Sequence, residues 1–345
     1  MVGAVCAPTE VIKRLRTMVM KLPRRQFLHL ATGAAALPAL SHIANAQSYP
    51  TRPVRVIVPF APAGPTDVFA RLLAQEMSEH FGRQFYVENL PGAGGNVGTG
   101  RAARAAPDGY TVLIVSSSYA VSPALFERVP YDPARDFDAV TLAVTTPMIL
   151  TVNPTLRGQS VKDLVALIKA NPGKFSFASG GTGSPGHLVG EQLRLSLSLD
   201  LVHVPFNSAG LAIGSTIAGH TPIAIVAAAP TVPQVKDGTL RALATMGKTR
   251  LPTLQDVPTI AEAGYPDFEA ENWFAILVPA GTPREIIMLL NRESARIIAL
   301  PDAKERLTVL GIEPVGSTPE ECSALIRTEI ERWSKVVREA GIRAQ

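Results

Sequence analysis

The sequence predicts an α/β protein of two lobes, each a mostly parallel sheet flanked by helices. Three observations predict it. Short β-branched runs alternate with apolar residues at helical spacing, the pattern of β–α–β units. Two connecting loops, about 120 residues apart, are Gly- and Pro-rich turns between a strand and a helix. Two long extended runs separate the units and read as chain crossings between lobes.

Val54-Arg55-Val56-Ile57-Val58 is the first strand. The loop Pro59-Phe60-Ala61-Pro62-Ala63-Gly64-Pro65-Thr66-Asp67 carries it into a helix over 67–81, whose apolar positions begin at Val68, Phe69, Leu72 and Leu73. Such a turn aims backbone N–H groups and a helix's positive end at whatever lies above it, which suits an anion. Alone, it reads first as an ordinary capped turn. Phe85–Asn89 is the second strand. A Gly-rich loop, 91–98, then leads into an Ala-rich helix from Thr99 to Ala106, and Thr111–Val115 is the third strand, running into Ser116-Ser117-Ser118. Ligands of parallel sheets sit beyond the carboxyl ends of the strands, so Ser117 joins the 59–67 loop as a candidate.

Val140–Val144 and Met148–Asn153, interrupted by Pro147, mark the first crossing. A helix over 160–170 follows, capped by Ser160. Phe175–Ala178 is a strand, and Ser179-Gly180-Gly181-Thr182-Gly183-Ser184-Pro185-Gly186-His187 leads into a helix over 186–197, with Ser184 as N-cap and Pro185 first in the helix. Strands follow over 199–204, 223–229 and 240–245. Phe268 to Val278 is the return crossing. Helices over 284–299 and 319–340 close the chain. The predicted organisation is a leader over 1–46, one lobe from 47–146 and 270–345, and a second from 147–269.

The leader has a charged stretch with Arg24-Arg25, a short apolar run from Phe27 to Leu40, and Ala44-Asn45-Ala46. This reads as a secretory signal of twin-arginine type, cleaved after Ala46, with its own start at Met20 and 1–19 as an over-extended start. Residues 47–345 hold 27 Lys+Arg against 28 Asp+Glu, without a basic run, which argues against nucleic acid. Cys6 lies in the leader, so Cys322 is the one cysteine left and reads as packing; the core must hold without a disulfide. A soluble periplasmic monomer is expected.

No motif makes a strong case for chemistry. Gly181-Thr182-Gly183-Ser184-Pro185-Gly186 fits the dinucleotide-binding string, but the next strand ends in His203-Val204-Pro205-Phe206, with no acid for a ribose. Thr182-Gly183-Ser184-Pro185-Gly186 approaches a nucleophile elbow, leaving open a periplasmic hydrolase using Ser184 with His187 or His203. The four histidines after the leader are scattered, so no metal and no cofactor is expected. His203 and Asn96 read first as a core histidine and a turn residue. What remains is two loops in two lobes, without Lys or Arg, able to hold a carboxylate from both sides through N–H groups.

The residues from 49 to 343 resemble the periplasmic solute-binding receptors of tripartite tricarboxylate transporters, the Bug or TctC type. The resemblance rests on Tyr49-Pro50-Thr51-Arg52-Pro53-Val54-Arg55, Val58-Pro59-Phe60-Ala61-Pro62, Val87-Glu88-Asn89-Leu90-Pro91-Gly92-Ala93-Gly94-Gly95-Asn96 and Ala106-Pro107-Asp108-Gly109-Tyr110-Thr111. Asp256-Val257-Pro258-Thr259 and Pro279-Ala280-Gly281-Thr282-Pro283 extend it. It implies a Venus-flytrap fold that closes over a small carboxylate and presents it to transporter subunits in the membrane, or to a sensor kinase. It also implies that Phe60, Ala61, Gly64, Thr66 and Asp67 serve one lobe. Ser179, Gly180, Thr182, Ser184 and His187 would serve the other, with Phe206 lining the pocket. Three departures stand out. Pro65 replaces a second glycine, Asn207-Ser208 replaces Lys-Gly, and Ile223–Ala229 lacks the Asp that reads a ligand amino group. Pro65 removes one N–H donor from the grip, and the missing Asp points to a non-amino organic or aromatic carboxylate.

Overall fold

The computed structural model describes residues 49–62, 64–268, 270–309 and 311–343. The leader, its twin arginine and the cleavage point after Ala46 lie outside the described residues. In chain order the elements are β1 (Val54–Val58), α1 (Pro65–Phe81), β2 (Phe85–Asn89), α2 (Asn96–Ala103), β3 (Thr111–Ser116), α3 (Ser118–Leu125) and β4 (Phe137–Val152). Next come α4 (Val161–Ala170), β5 (Phe175–Ser179), α5 (Pro185–Ser196), β6 (Leu201–Pro205), α6 (Ala209–Ile217), β7 (Ile223–Ala227), α7 (Ala228–Lys236) and β8 (Arg241–Thr245). The chain ends with β9 (Glu271–Pro279), α8 (Arg284–Ile298), α9 (Pro301–Val309), β10 (Glu313–Pro314) and α10 (Pro319–Ala340).

Strand order along the sheet is β2-β1-β3-β9-β4-β7-β5-β6. The triplets β2-β1-β3 and β6-β5-β7 are parallel, as the alternation of elements predicts. β9 runs antiparallel between β3 and β4, and β7 runs antiparallel to β4. The two halves of the fold share β4. Its segment Phe137–Pro147 pairs with β9, and from Met148 onward it pairs with β7 and with β8. The sequence suggests two runs broken at Pro147, yet one strand of 16 residues forms. Pro147 falls where pairing passes from one partner to the next, so its missing N–H interrupts neither ladder in its interior.

Four helices were not expected: α3, which holds Pro123, and α6, α7 and α9. α6 contains Gly210 and Gly214, α7 contains Pro230 and Pro233, and α9 is short and mostly polar, so each lacks a clear apolar stripe. Local capping starts α6, where the Ser208 side chain accepts from Leu211 N–H. At α4, Ser160 and Asp163 form a reciprocal capping box.

Two of the apolar clusters, one in each half, meet at α10. One gathers Ile57, Leu113, Val115, Trp273 and Leu277; the other gathers Leu150, Phe177, Leu188, Ile223 and Ile225. α10 belongs to both. Cys322 and Ile326 enter the first cluster, while Trp333, Val336 and Val337 enter the second. Between these segments, Glu329 accepts hydrogen bonds from the indole N–H of Trp273 at 3.3 Å and of Trp333 at 2.7 Å. Cys322 is fully buried, and burial pushes its thiol up to about 12, so it packs rather than reacts.

Candidate functional site

The first loop follows β1 and is fixed from below. Helix α1 starts at Pro65, two residues before the expected 67, with Gly64 as an extended N-cap that offers no side-chain bond. Pro65 therefore stands at the first helical position, where its missing N–H is one the helix leaves unpaired in any case. The first intrahelical bond runs from Val68 N–H to Gly64 C=O at 2.9 Å, so donors upstream of it, such as Thr66 N–H, have no intrahelical acceptor. The side chains of Thr66 and Asp67 are buried, while Phe60 and Gly64 are half-buried and Ala61 is exposed.

Asp67 does not present its carboxylate to the mouth. One oxygen accepts from Arg71 Nε at 2.9 Å and the other from Asn89 Nδ2 at 2.8 Å. Asn89 Nδ2 also donates to Phe60 C=O at 3.1 Å. Asn89, at the end of β2, thus ties the strand to both sides of the loop. Sequence reading did not single it out; its position at a strand end beside a Gly-rich loop was the available signal.

The Gly-rich loop 91–98 packs against this one. A methyl on Gly98 would lie 2.9 Å from Pro59 Cα, and one on Gly95 would lie 3.4 Å from the Phe60 ring. Its glycines serve close approach of two loops. α2 opens at Asn96 rather than Thr99 and stops at Ala103. Asn96 is buried at the start of α2; its Oδ1 accepts from the Tyr131 hydroxyl at 2.9 Å, while its Nδ2 has no hydrogen-bond partner among the described residues.

The second loop follows β5. Ser184 caps α5 by accepting from His187 N–H, and Pro185 comes next, as the sequence predicts. A methyl on Gly186 would lie 2.0 Å from Ile225 C=O, so the helix start is pressed onto β7. Gly183 adopts φ +77°, and a methyl there would lie 2.4 Å from Leu125 Cδ1. Leu125 ends α3, whose first turn follows Ser117, and Ser117 Oγ donates to Asn272 Oδ1 at 2.9 Å. One short helix thus leads from the β3 end to the second loop.

Behind the loop two imidazoles stack. The His187 and His203 rings lie 3.7 Å apart at 12°. His187 Nδ1 accepts from Gly183 N–H at 3.0 Å, and His203 Nε2 lies 2.7 Å from Ser179 Oγ. Ser184 Oγ donates to Ser179 Oγ at 3.3 Å, and Phe206 N–H donates to Ser179 C=O at 3.1 Å. Burial pushes His187 down to about 3, with His203 as a second cause, and burial pushes His203 down to about 4. Both are neutral at pH 7. His203 is therefore a hydrogen-bonded structural histidine that also braces the site. Ser179 is fully buried, Gly180, Ser184 and Phe206 are half-buried, and Thr182 is exposed.

The chemistry available here is recognition. The Nδ1 of His187 is occupied by a backbone donor, Ser184 bonds a serine, and among the described residues no carboxylate orients either histidine. A Ser–His–acid relay is not assembled. Among the described residues no group of three or more His, Cys, Asp or Glu could hold a metal ion.

Two α/β halves sharing strands, with Gly-rich strand-to-helix loops in each, define the class of two-lobed periplasmic binding proteins. Solved members of that class match at high coverage: a periplasmic transporter protein at 38% identity and TM-score 0.73, covering 86% of this chain and 99% of that one, and BugD at 33% and 0.70, covering 86% and 100%. More narrowly, the chain belongs to the tripartite tricarboxylate transporter family receptors, TctC, whose family model matches residues 69–342. It is similar to a protein encoded in the tcbD–tcbE intergenic region of a Pseudomonas species, 38% identical over 298 residues (86% of this chain, 89% of the other). It is also similar to BugT of Bordetella pertussis, 37% identical over 316 residues (91% and 95%). MatC from Rhodopseudomonas palustris, solved with bound malate, shares 32% identity at TM-score 0.70 and covers 84% of this chain and all of that one. An R. palustris protein solved with adipate shares 33% at 0.73, covering 86% and 99%. The chain is a solute-binding receptor of this family.

Proposed function

We propose that this receptor captures a small organic carboxylate without an amino group, in the periplasm, and hands it to the membrane subunits of a tripartite tricarboxylate-type transporter. The observation that carries the reading is the pair of Gly-rich loops, 59–67 and 179–187. Each ends a parallel strand, opens a helix, and offers N–H donors without a lysine or arginine. Helix-end fields of ~0.3–1 kcal/mol each, rising to ~2 when partly buried, favour an anion between them. Phe60, Ala61, Gly64, Thr66 and Asp67 form one jaw through backbone donors. Ser117, Ser179, Gly180, Thr182, Ser184 and His187 form or brace the other, and Phe206 lines it.

On this reading Pro65 costs the helix no bond but removes one of the first-turn donors open to an anion, so the grip of this jaw rests on the remaining N–H groups, such as that of Thr66. Ile223–Ala227 presents no acid to an ammonium group, in keeping with relatives solved with malate and adipate. The lobes comprise 47–146 with 270–345 and 147–269, close about β4, and act as a monomer without turnover. Export by the leader, cleaved after Ala46, places the protein where such a transporter collects its cargo.

A thermal-shift panel of dicarboxylates, tricarboxylates, aromatic acids and amino acids tests this. Stabilisation by one or more non-amino carboxylates is expected. Stabilisation by amino acids alone would overturn the ligand class, and hydrolysis of ester substrates that is lost in Ser184→Ala would overturn the receptor reading.

A further inference from the structure

A second cavity lies at the opposite end of the same strands. It measures about 390 Å3 and is lined by Arg52, Arg55, Arg101, Arg104, Tyr86 and Tyr110, with Asp108 among its walls. Arg52 and Arg55 stand at the start of β1, Tyr110 precedes β3, and Arg101 and Arg104 close α2, whereas the carboxylate loop follows the end of β1. The cavity is therefore separate from the jaws.

Its charges do not cancel. Arg52 pairs with Asp108 at 2.8 Å and lies over the Tyr110 ring at 4.1 Å. Arg55 approaches Glu88 at 3.5 Å and donates to Thr111 at 3.3 Å. Arg101 and Arg104 are exposed and have no ion-pair partner among the described residues. A basic residue in the last turn complements the helix dipole, which accounts for Arg101. It does not account for four guanidinium groups from three elements around one cavity, in a chain whose residues 47–345 are nearly neutral.

We propose that this cavity is a second anion site, specific for a phosphate group. Guanidinium forks suit phosphate and carboxylate alike. Here they come from a strand, a helix end and the segment before the strand, so they approach from several sides. A tetrahedral phosphate offers oxygens in all those directions, whereas a carboxylate offers two in one plane. The two unpaired charges match a dianion, and the volume admits a phosphate with the group it esterifies. Tyr86 and Tyr110 give that group an aromatic wall. The phosphate is either free in solution or carried by a lipid headgroup.

Calorimetric titration of the purified protein with inorganic phosphate at low ionic strength tests the site, with R101Q/R104Q beside a charge-matched control, R157Q/R338Q. Each charge-assisted contact contributes about tenfold, so R101Q/R104Q binds phosphate about 100-fold more weakly while the control keeps its affinity. Cosedimentation with phosphatidylglycerol rather than phosphatidylcholine vesicles, lost in R101Q/R104Q, assigns the phosphate to a headgroup. Retained phosphate binding without cosedimentation assigns it to a soluble ester. Independently of any variant, phosphate shifts the NMR side-chain signals of Arg101 and Arg104. Equal phosphate affinity in the wild type and R101Q/R104Q, or no phosphate binding and no cosedimentation, would overturn the proposal.

Discussion

Acidification should destabilise this protein through His187 and His203 before the carboxylates held below their usual range titrate. Burial holds the two imidazoles at about 3 and about 4 in the folded chain, against about 6.5 when unfolded. Between these values the unfolded state binds more protons, so stability falls as pH falls. At pH 5 the folded rings remain neutral while an unfolded imidazole is almost fully protonated. Each ring then costs about 2 kcal/mol relative to pH 8, or about 4 kcal/mol for the pair. At about 2 °C per kcal/mol for a chain of this size, Tm drops by roughly 8 °C. Phe177, Ser179 and the Gly183 N–H face the rings, and no hydrogen-bonded acid among the described residues offsets the loss. Acids held below the usual carboxylate range, such as Asp163 and Glu262, lose their contribution only at lower pH. Urea unfolding at pH 8 and pH 5 measures the slope in the wild type and in a His187→Asn, His203→Gln double variant. The variant should be less stable at pH 8 but flatter with pH by about 4 kcal/mol. Parallel profiles for the two proteins would refute the assignment of this acid sensitivity to the stacked pair.

Two further outcomes follow from the jaws. Gly186→Ala drives a methyl to 2.0 Å from Ile225 C=O, so it should cost about 3 kcal/mol or more in urea and displace the second loop, abolishing carboxylate binding even where the fold persists. Asn89→Ala removes the donor shared by Phe60 C=O and Asp67, leaving a buried carboxylate with fewer partners; a loss of about 2 kcal/mol in stability and a matching fall in ligand affinity are expected by calorimetry.

Much of this was legible because local chemistry and tertiary role agree. Val54–Val58 and Phe85–Asn89 form strands over the expected residues, and the Ser184–Pro185 start of α5 follows from capping preferences alone. Legibility ended where tertiary contact decided. Pro147 signals a break, yet β4 continues because its partners change there. Pro230 and Pro233 hide α7, and the two glycines hide α6. At the site, Asp67 reads from sequence as a helix-start acid, and the resemblance implies that it serves the ligand. Its carboxylate instead turns to Arg71 and Asn89, a pairing that depends on where β2 ends in space. The stacking of His187 on His203 was hidden for the same reason: it joins residues from two elements that periodicity cannot bring together.

Helix α10 is the last of the described elements, and it walls two of the apolar clusters. During synthesis, neither cluster has its full set of neighbours until those final residues emerge. Domains commonly fold from the N-terminus while the ribosome is still adding residues. In this chain the order is constrained differently: the parallel triplets can pair early, but Trp273 waits on β9 for Glu329, which arrives with the final helix together with Trp333. Completion of the fold is thereby tied to the arrival of α10, far along the chain from β1.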